Sequence, residues 1–356
     1  MKLDAIRPLY EKHSGPFASV YISAERTGED SATQIALHWR RLRERLERAG
    51  ADARTVEAIG IRLIPREEAA PGRAMFAVDG ETVHDEAFPH PPRREIARWS
   101  PLPHLMPLLA QRGETVPHLR VIADHTGADV ITVGADVPRQ RTVQVEEWPM
   151  QKTGVGGWSQ RRYERGVEET WERNAVAVAE AVDREVRRTG AELVVVAGDP
   201  RSRALVRDHL GAASADRAVM AEHGSRGAGA AAAPFEADAE AAVDSWLERR
   251  RTELIERCGA GPSAVGLPET VRALRLNRVD TLLIADDPSS DVMLWIGPGG
   301  DQLSMDGREL VEWGVAEPRQ ERADAAMVRA AAMTGAELWF VDRDRLGTGV
   351  AALLRY

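Results

Sequence analysis

The sequence predicts an α/β protein, and the chain length and the pattern of apolar residues are the main reasons. A chain of 356 residues suits two or three domains. Short apolar runs alternate with longer stretches whose apolar residues recur at three- and four-residue steps, as in strands and helices that alternate along a chain. Residues 193–197 are apolar throughout, which is typical of a strand buried on both faces. We expect three domains, over residues 1–112, 115–257 and 262–356.

The first predicted domain begins with a short apolar strand over residues 17–23 and a helix over 31–49. Asp79-Gly80 separates two further apolar segments, and this dipeptide favours a two-residue hairpin turn. Prolines then cluster between residues 89 and 103, which is typical of a linker. The arginines of the helix are interpreted as a solvated face balanced by glutamates, and the alternative is a face that contacts RNA.

The second and third predicted domains continue the alternation of strands and helices. In the middle domain, Thr126-Gly127 provides a turn, and the buried run over 193–197 leads through Gly198-Asp199-Pro200 into a helix. The predicted strands of these two domains cover residues 119–123, 128–133, 142–145, 193–197, 281–285, 292–296, 337–341 and 350–354. Helices are expected over residues 235–257 and 323–333.

A Gly-rich stretch, residues 153–165, leads directly into one of the longest helical patterns of the chain. Three glycines, Gly154, Gly156 and Gly157, give this segment backbone freedom that other residues lack. Behind it, the residues that recur at helical spacing and predict one buried face are Tyr163, Val167, Trp171, Asn174, Val178, Val182 and Val186.

The first turns of this predicted helix carry positive charge where the helix dipole disfavours it. The cations are Arg161, Arg162 and Arg165, and they follow Trp158 and Ser159 at the tip. A loop over residues 154–160 with an exposed indole, followed by three arginines, suits contact with a polyanion. The alternative interpretation is an ordinary Gly-rich turn.

Composition excludes several classes of function. The formal net charge of −9 argues against a general nucleic-acid coat, although a local basic surface remains compatible with RNA. The single cysteine, Cys258, excludes an internal disulfide and a cysteine-cluster metal site. The histidines lack metal-ligand spacing, Asp286-Asp287 suits a solvated loop better than a cation site, and no Walker A motif is present. We therefore expect no cofactor and no metal, and a soluble, cytoplasmic protein without a membrane-spanning segment.

Several motifs, in the same order along the chain, resemble those of archaeal and eukaryotic class-1 peptide release factors. Gly156-Gly157-Trp158-Ser159, with the arginine-rich helix and Asn174, resembles their Gly-Gly-Gln loop and following helix. Residues 279–287 resemble the opening strand of their third domain, and residues 347–356 resemble its ending. Residues 15–21 and 124–130 resemble the bacterial branch of the superfamily, which includes mycobacterial relatives and ribosome hibernation factors.

The resemblance implies a three-domain release-factor-like architecture, with a mixed-sheet middle domain and a C-terminal α/β/α ribosomal-protein-like domain. The implied partner is the ribosome, through the rRNA of the A site and the peptidyl-transferase centre, with tRNA and a translational GTPase as further partners. Neither a membrane nor DNA is implied. The codon-reading motif of eukaryotic release factors has no counterpart, which argues against stop-codon recognition.

Two functions from different classes follow from the resemblance. Where the family has a catalytic glutamine this chain has Trp158, which predicts a non-catalytic factor that occupies the A site of idle ribosomes under stress. Its predicted ribosome- and RNA-binding residues are Gly154, Gly156, Gly157, Trp158, Ser159, Arg161, Arg162 and Arg165. The alternative is a peptidyl-tRNA hydrolase that rescues stalled ribosomes through residues 156–160, with Gln160 as the catalytic residue. A nucleic-acid-binding protein unrelated to ribosomes is a third hypothesis.

Overall fold

The computed structural model describes residues 1–24, 31–63, 70–88, 90–134, 139–144, 157–226, 232–287 and 290–356, with the backbone alone for 31–32, 139, 144 and 157–167. The chain divides into two compact units. Unit 1 combines Met1–Glu114 with Glu253–Tyr356, and unit 2 is Thr115–Thr252. Unit 1 thus draws on both the first and the third predicted domains, whose separate existence stays a prediction.

The first segment of unit 1 folds around a four-stranded antiparallel sheet. Its elements are α1 (Arg7–Glu11), β1 (Phe17–Ser23), α2 (Ser31–Arg48), α3 (Ala53–Arg62), β2 (Gly72–Val78), β3 (Glu81–Phe88), β4 (Ile96–Ser100) and α4 (Met106–Arg112). The strand order is β3-β2-β1-β4. The predicted hairpin is confirmed: β2 pairs with β3, and Asp79 and Gly80 take φ values of 51° and 83°, as a type I′ turn requires.

The predicted linker between residues 89 and 103 is wrong. Strand β4 lies in the middle of that stretch and pairs antiparallel with β1 along its whole length. Pro101 and Pro103 lie outside the strand, where the missing amide of proline does not interrupt the ladder. The prolines therefore mark the ends of a strand and not the absence of one.

Unit 2 folds around a mixed five-stranded sheet in the order β7-β6-β5-β8-β9. Its elements are β5 (His118–Asp124), β6 (Gly127–Val133), β7 (Arg139–Gln144), α5 (Gly157–Thr189), β8 (Leu193–Gly198), α6 (Pro200–His209), α7 (Ala212–Ala215), β9 (Ala218–Met220) and the first part of α8 (Ala232–Ala260). Strand β8 is parallel to both β5 and β9, and the other pairs are antiparallel, which confirms the mixed sheet.

Strand β8 is buried on both faces, as its continuous apolar run predicts. Val194 and Val196 point into a core that contains residues of α5 and α6. Leu193 and Val195 point into the opposite core, which contains Phe235 of α8. The sheet is therefore covered by helices on both sides.

The last segment of unit 1 adds two more sheets. Its elements are β10 (Ser263–Val265), α9 (Leu267–Arg275), β11 (Val279–Ile284), β12 (Met293–Ile296), β13 (Leu303–Ser304), α10 (Gly307–Glu312), β14 (Arg319–Arg322), α11 (Ala323–Thr334), β15 (Glu337–Phe340), α12 (Arg343–Leu346) and β16 (Val350–Leu354). The strand orders are β10-β16-β11-β15 and β13-β12-β14.

The two segments of unit 1 share one apolar core. Leu105 and Leu108 of the first segment belong to the same buried cluster as Leu274, Leu282 and Leu338 of the last. Polar contacts join the segments as well. The amide of Leu338 donates to the carbonyl of Met1 at 2.9 Å, and the amide of Leu102 donates to the buried carboxylate of Glu321 at 2.9 Å.

Candidate functional site

Helix α5 dominates the candidate site because it carries most of the predicted site residues. It has 33 residues, which at 1.5 Å per residue corresponds to roughly 50 Å. Its predicted buried face is confirmed over the second half of the helix, where Asn174, Val178, Val182 and Val186 are all buried. Tyr163 and Val167 lie outside the described side chains.

The helix begins at Gly157, so the predicted loop over 154–160 is wrong for residues 157–160. Trp158, Ser159 and Gln160 each have helix propensities within roughly 0.7 kcal/mol of alanine, so none of them opposes a helix here. Gly154 and Gly156 lie outside the described residues. The backbones of Gly157, Trp158, Ser159, Gln160, Arg161, Arg162 and Arg165 are helical, and their side chains lie outside the described part of the chain.

Helix α5 is held in place by the turn between β5 and β6. Asp124 Oδ1 accepts hydrogen bonds from the amide of Thr126 at 2.7 Å and from its hydroxyl at 2.6 Å. The same oxygen accepts from the amide of Gly127, which takes a positive φ of 152°. The carboxylate thus replaces backbone partners that the tight turn lacks.

Arg226 ties this turn to its sheet through two carboxylates. Its guanidinium lies 2.8 Å from Asp124 Oδ1 and 3.1 Å from Asp129 Oδ2, and its side chain is 13% exposed. Burial raises the pKa of Asp124, but the hydrogen bonds from Thr126 and the charge of Arg226 outweigh it, so the pKa lies below its usual value. The carboxylate is therefore ionised and held in place, which makes it a structural group and a poor general base.

Asn174 connects helix α5 to the same turn. Its side-chain amide donates to the carbonyl of His125 at 2.8 Å, and the His125 ring lies 6.0 Å from the Trp171 ring. Burying an asparagine without a partner would cost about 1–3 kcal/mol, so this contact fixes where the helix leaves the sheet. The family resemblance includes Asn174, and the structure supplies the contact that it makes.

Helix α6 packs against α5. Arg201 lies over the Trp171 ring at 4.7 Å and pairs with Glu168 at 2.7 Å. His209, at the other end of α6, lies 2.9 Å from Glu172. Helix α6 is itself capped by Asp199, whose side chain accepts from the amides of its first turn. These contacts hold residues 168–174 in place, directly after the segment that contains Arg161, Arg162 and Arg165.

Sequence reasoning missed Arg226 and Arg201. The partners of Arg226 lie 97 and 102 residues away along the chain, so no local pattern could connect them. Arg201 directly follows the Gly198-Asp199-Pro200 turn that the sequence predicts. Its position, an arginine at the start of the next predicted helix, was the available signal.

The other charged features behave as structural groups. Along α2, Arg43 pairs with Glu47 at 2.8 Å and Arg48 with Glu44 at 3.0 Å, as the balanced-face interpretation requires. In the loop after β11, Asp286 lies 3.3 Å from Arg93, so this carboxylate faces an arginine. Among the residues that the structure describes, no three His, Cys, Asp or Glu side chains come together as a metal site would need. None of the helices in the described ranges is long and apolar enough to span a bilayer.

Comparison with known proteins finds a family model that is similar to the middle of the chain. Residues 117–262 match the model of the bacterial archaeo-eukaryotic release factor family 2. Two Mycobacterium tuberculosis proteins, MT2704 of strain CDC 1551 and Rv2629 of strain H37Rv, are each 29% identical to this chain. The alignment covers 96% of this chain and 94% of each relative.

Solved structures of translation factors are also similar. The archaeal translation termination factor aRF1 is 18% identical, with 99% of this chain and 97% of that chain covered and a TM-score of 0.26. Pelota of Archaeoglobus fulgidus is 16% identical, with 80% and 79% covered and a TM-score of 0.34. Dom34 of S. cerevisiae is 11% identical, with 80% of each chain covered and a TM-score of 0.39.

Proposed function

We propose that this chain is a bacterial release-factor-like protein, and that it is a ribosome-associated translation factor that occupies the A site of idle ribosomes. The observation that carries the proposal is the family match over residues 117–262, because this segment contains the whole Gly-rich stretch and all of helix α5. Protection of idle ribosomes under stress is the physiological role that this occupancy would serve.

Trp158 is the residue that separates this proposal from a release factor. In the family, the glutamine at this position helps to orient water and to stabilise the leaving group in ester hydrolysis. An indole has no amide to do this, but its ring can stack on an unpaired base for roughly 1–3 kcal/mol. Arg161, Arg162 and Arg165 would contact rRNA phosphates, which position a protein without reading sequence.

The length of α5 is consistent with this use. Seventeen helical steps separate Gly157 from Asn174, the residue that hydrogen-bonds to the β5–β6 turn, which corresponds to roughly 25 Å. A helix held firmly at Asn174 would place its N-terminal residues in a deep binding site with little variation in their position. The family match and this anchored helix together support contact with the peptidyl-transferase centre.

The first test measures binding to ribosomes with an empty A site, by co-sedimentation of the purified protein. Trp158→Ala is expected to weaken binding about 5- to 100-fold, which corresponds to the loss of one base-stacking contact. Trp313→Ala is the matched control, because Trp313 is a 44% exposed tryptophan of unit 1, outside the matched segment. Equal affinities for wild-type protein and both variants would contradict the role of Trp158.

Peptide release from stalled complexes is scored in the same samples. Binding without release supports an A-site occupant that performs no hydrolysis. Release that Gln160→Ala abolishes, with binding unchanged, would overturn the proposal in favour of the peptidyl-tRNA hydrolase. Absence of binding by the wild-type protein would reject both functions and leave the third hypothesis.

A further inference from the structure

Unit 1 contains a cavity of about 550 Å³ between its two chain segments. Tyr10, Phe17 and Leu102 line it from the first segment, and Ile296, Val315 and Met333 line it from the last. Small-molecule sites typically measure about 300–1,000 Å³ and are mostly apolar with a few polar groups. The size and lining of this cavity fall within that description.

Arg329 is the unusual residue of the cavity wall. It lies in the middle of α11 and is only 5% exposed. Its guanidinium donates to the carbonyl of Gly297 at 2.9 Å and, more weakly, to that of Gln302 at 3.5 Å. Its Nε has no hydrogen-bond partner within the described part of the chain.

No carboxylate of the described ranges lies within ion-pair distance of Arg329. Arg322, seven residues earlier and also buried, pairs with Asp324 at 2.7 Å. Carbonyl oxygens satisfy donors but do not neutralise a charge, and an uncompensated charge in a protein interior is strongly unfavourable. Glu321 and Asp301 act on Arg329 only at longer range, so the cation at position 329 lacks a carboxylate in direct contact.

The loop after β12 forms one wall of the cavity and packs tightly against α11. A Cβ on Gly297 would lie 2.5 Å from Gln302 Oε1, and a Cβ on Gly300 would lie 2.6 Å from Met333 Cβ. Gln302 in turn accepts from the amide of Gly299 at 2.8 Å. The glycines allow the loop to approach the helix closely, and Arg329 and Gln302 then hold it there. The wall is thus fixed before any ligand arrives.

The first segment adds a second unsatisfied group and a flat surface to the lining. The hydroxyl of Tyr10 is shielded from solvent and has no hydrogen-bond partner among the described residues. The His13 ring meets the Phe17 ring edge-on, with centroids 6.4 Å apart. A buried hydroxyl without a partner costs about 1–3 kcal/mol, which an acceptor atom at this wall would recover.

We propose that this cavity binds a small organic anion, with a phosphate or carboxylate group beside Arg329 and Tyr10 and a planar or apolar body against Phe17, Ile296 and Val315. The anion supplies the countercharge that Arg329 lacks and an acceptor for the tyrosine hydroxyl. Binding would join the two segments of unit 1 at this point. The inference does not depend on the ribosomal function proposed above.

Calorimetric titration of the full chain with three probes tests the proposal. AMP represents a phosphate ester, benzoate a carboxylate, and adenosine a planar body without charge. At least one of the two anions is expected to bind with a micromolar to millimolar Kd, and adenosine is expected to bind at least tenfold more weakly than AMP. The anion that binds identifies the charged group.

Two variants locate the binding in the cavity. Ala316→Trp places a large ring at an exposed position of the lining and is expected to reduce affinity tenfold or more without disturbing the core. Ala53→Trp is the matched control on the exposed surface of α3, outside the cavity, and is expected to bind as the wild type does. Arg329→Met, checked for native unfolding behaviour, is expected to abolish anion binding.

Four results would overturn the proposal. They are failure of both anions to bind at millimolar concentration, adenosine binding as tightly as AMP, and unchanged anion affinity in either Ala316→Trp or a natively folded Arg329→Met. Loss of ribosome binding alone would leave it intact, because none of the three titrations uses ribosomes.

Discussion

Arg226 in unit 2 and Arg329 in unit 1 are both well shielded from solvent, and their surroundings are opposite in character. Arg226 lies against two carboxylates, Asp124 and Asp129, at 2.8 and 3.1 Å. Among the described residues, Arg329 donates hydrogen bonds only to carbonyl oxygens, and Glu321 and Asp301 act on it without direct contact. An arginine side chain is therefore neutralised by carboxylates in unit 2, whereas in unit 1 it is a positive charge without a paired carboxylate.

The difference teaches how to separate structural from ligand-binding charge. A guanidinium balanced by protein carboxylates needs nothing further, and removing it leaves unpaired anions. A guanidinium that is buried without a carboxylate destabilises its own fold unless something from outside compensates. Stability measurements on the two arginines therefore test the comparison directly.

The largest effect is expected for Arg226→Met. The substitution leaves Asp124 and Asp129 close together and without their cation, and both side chains are less than a third exposed. We expect a loss of about 3 kcal/mol in the free energy of unfolding, measured by urea denaturation at neutral pH. Arg207→Met is the control, because its pair with Asp208 is largely exposed and is worth at most about 0.5 kcal/mol. Equal losses in the two variants would contradict a structural role for Arg226.

An intermediate effect is expected for His104→Leu, and it depends on pH. Burial lowers the pKa of His104 to about 4, against a weaker opposing effect of Asp324. Its Nδ1 has no partner among the described residues, so this ring escapes an unfavourable charge by remaining neutral. Arg329 cannot escape in this way, because burial lowers the pKa of a guanidinium without bringing it near neutral pH.

The sign of the His104 effect follows from the depressed pKa. Between the unfolded value of about 6.5 and the folded value of about 4 the unfolded chain binds a proton that the folded chain does not, so stability is lost as pH falls. We expect His104→Leu to remove about 2 kcal/mol of the loss between pH 7 and pH 5, read as the difference between two unfolding series. Parallel pH profiles for the two proteins would show that His104 does not titrate as its burial requires.

The smallest effect is expected for Arg329→Met without ligand. The variant loses the hydrogen bonds to two carbonyls, but it also replaces a buried charge by an apolar side chain of similar volume. These two effects on stability oppose each other. We expect the free energy of unfolding to change by no more than about 1 kcal/mol. A loss as large as that of Arg226→Met would erase the distinction between the two arginines.

Local pattern was sufficient for much of the fold. Strands β1 and β16 were predicted to the residue, because short apolar runs with clear ends determine both. Strand β4 was missed because flanking prolines suggested a linker, and its pairing partner β1 lies some 80 residues earlier. The union of the first and last segments in one core depends on contacts across the whole chain, which no local pattern reports.

As with the fold, the sequence predicted only part of the candidate sites. The sequence identified Asn174 through the family resemblance, but not the carbonyl that it holds. Arg329 could have been found, since a single arginine in the middle of an otherwise apolar, alanine-rich helix is unusual. The roles of Trp158 and Gln160 stay predictions that the ribosome assays decide.

The arrangement of unit 1 has a consequence for how the protein is made. Its two segments are separated along the chain by all of Thr115–Thr252, so synthesis of unit 2 delays their meeting by on the order of ten seconds. Unit 2 is contiguous and can fold cotranslationally while the first segment waits. Leu105 and Leu108, which share a core with residues of the last segment, stay without those partners throughout. We expect nascent chains halted before Glu253 to recruit chaperones that bind exposed apolar surface.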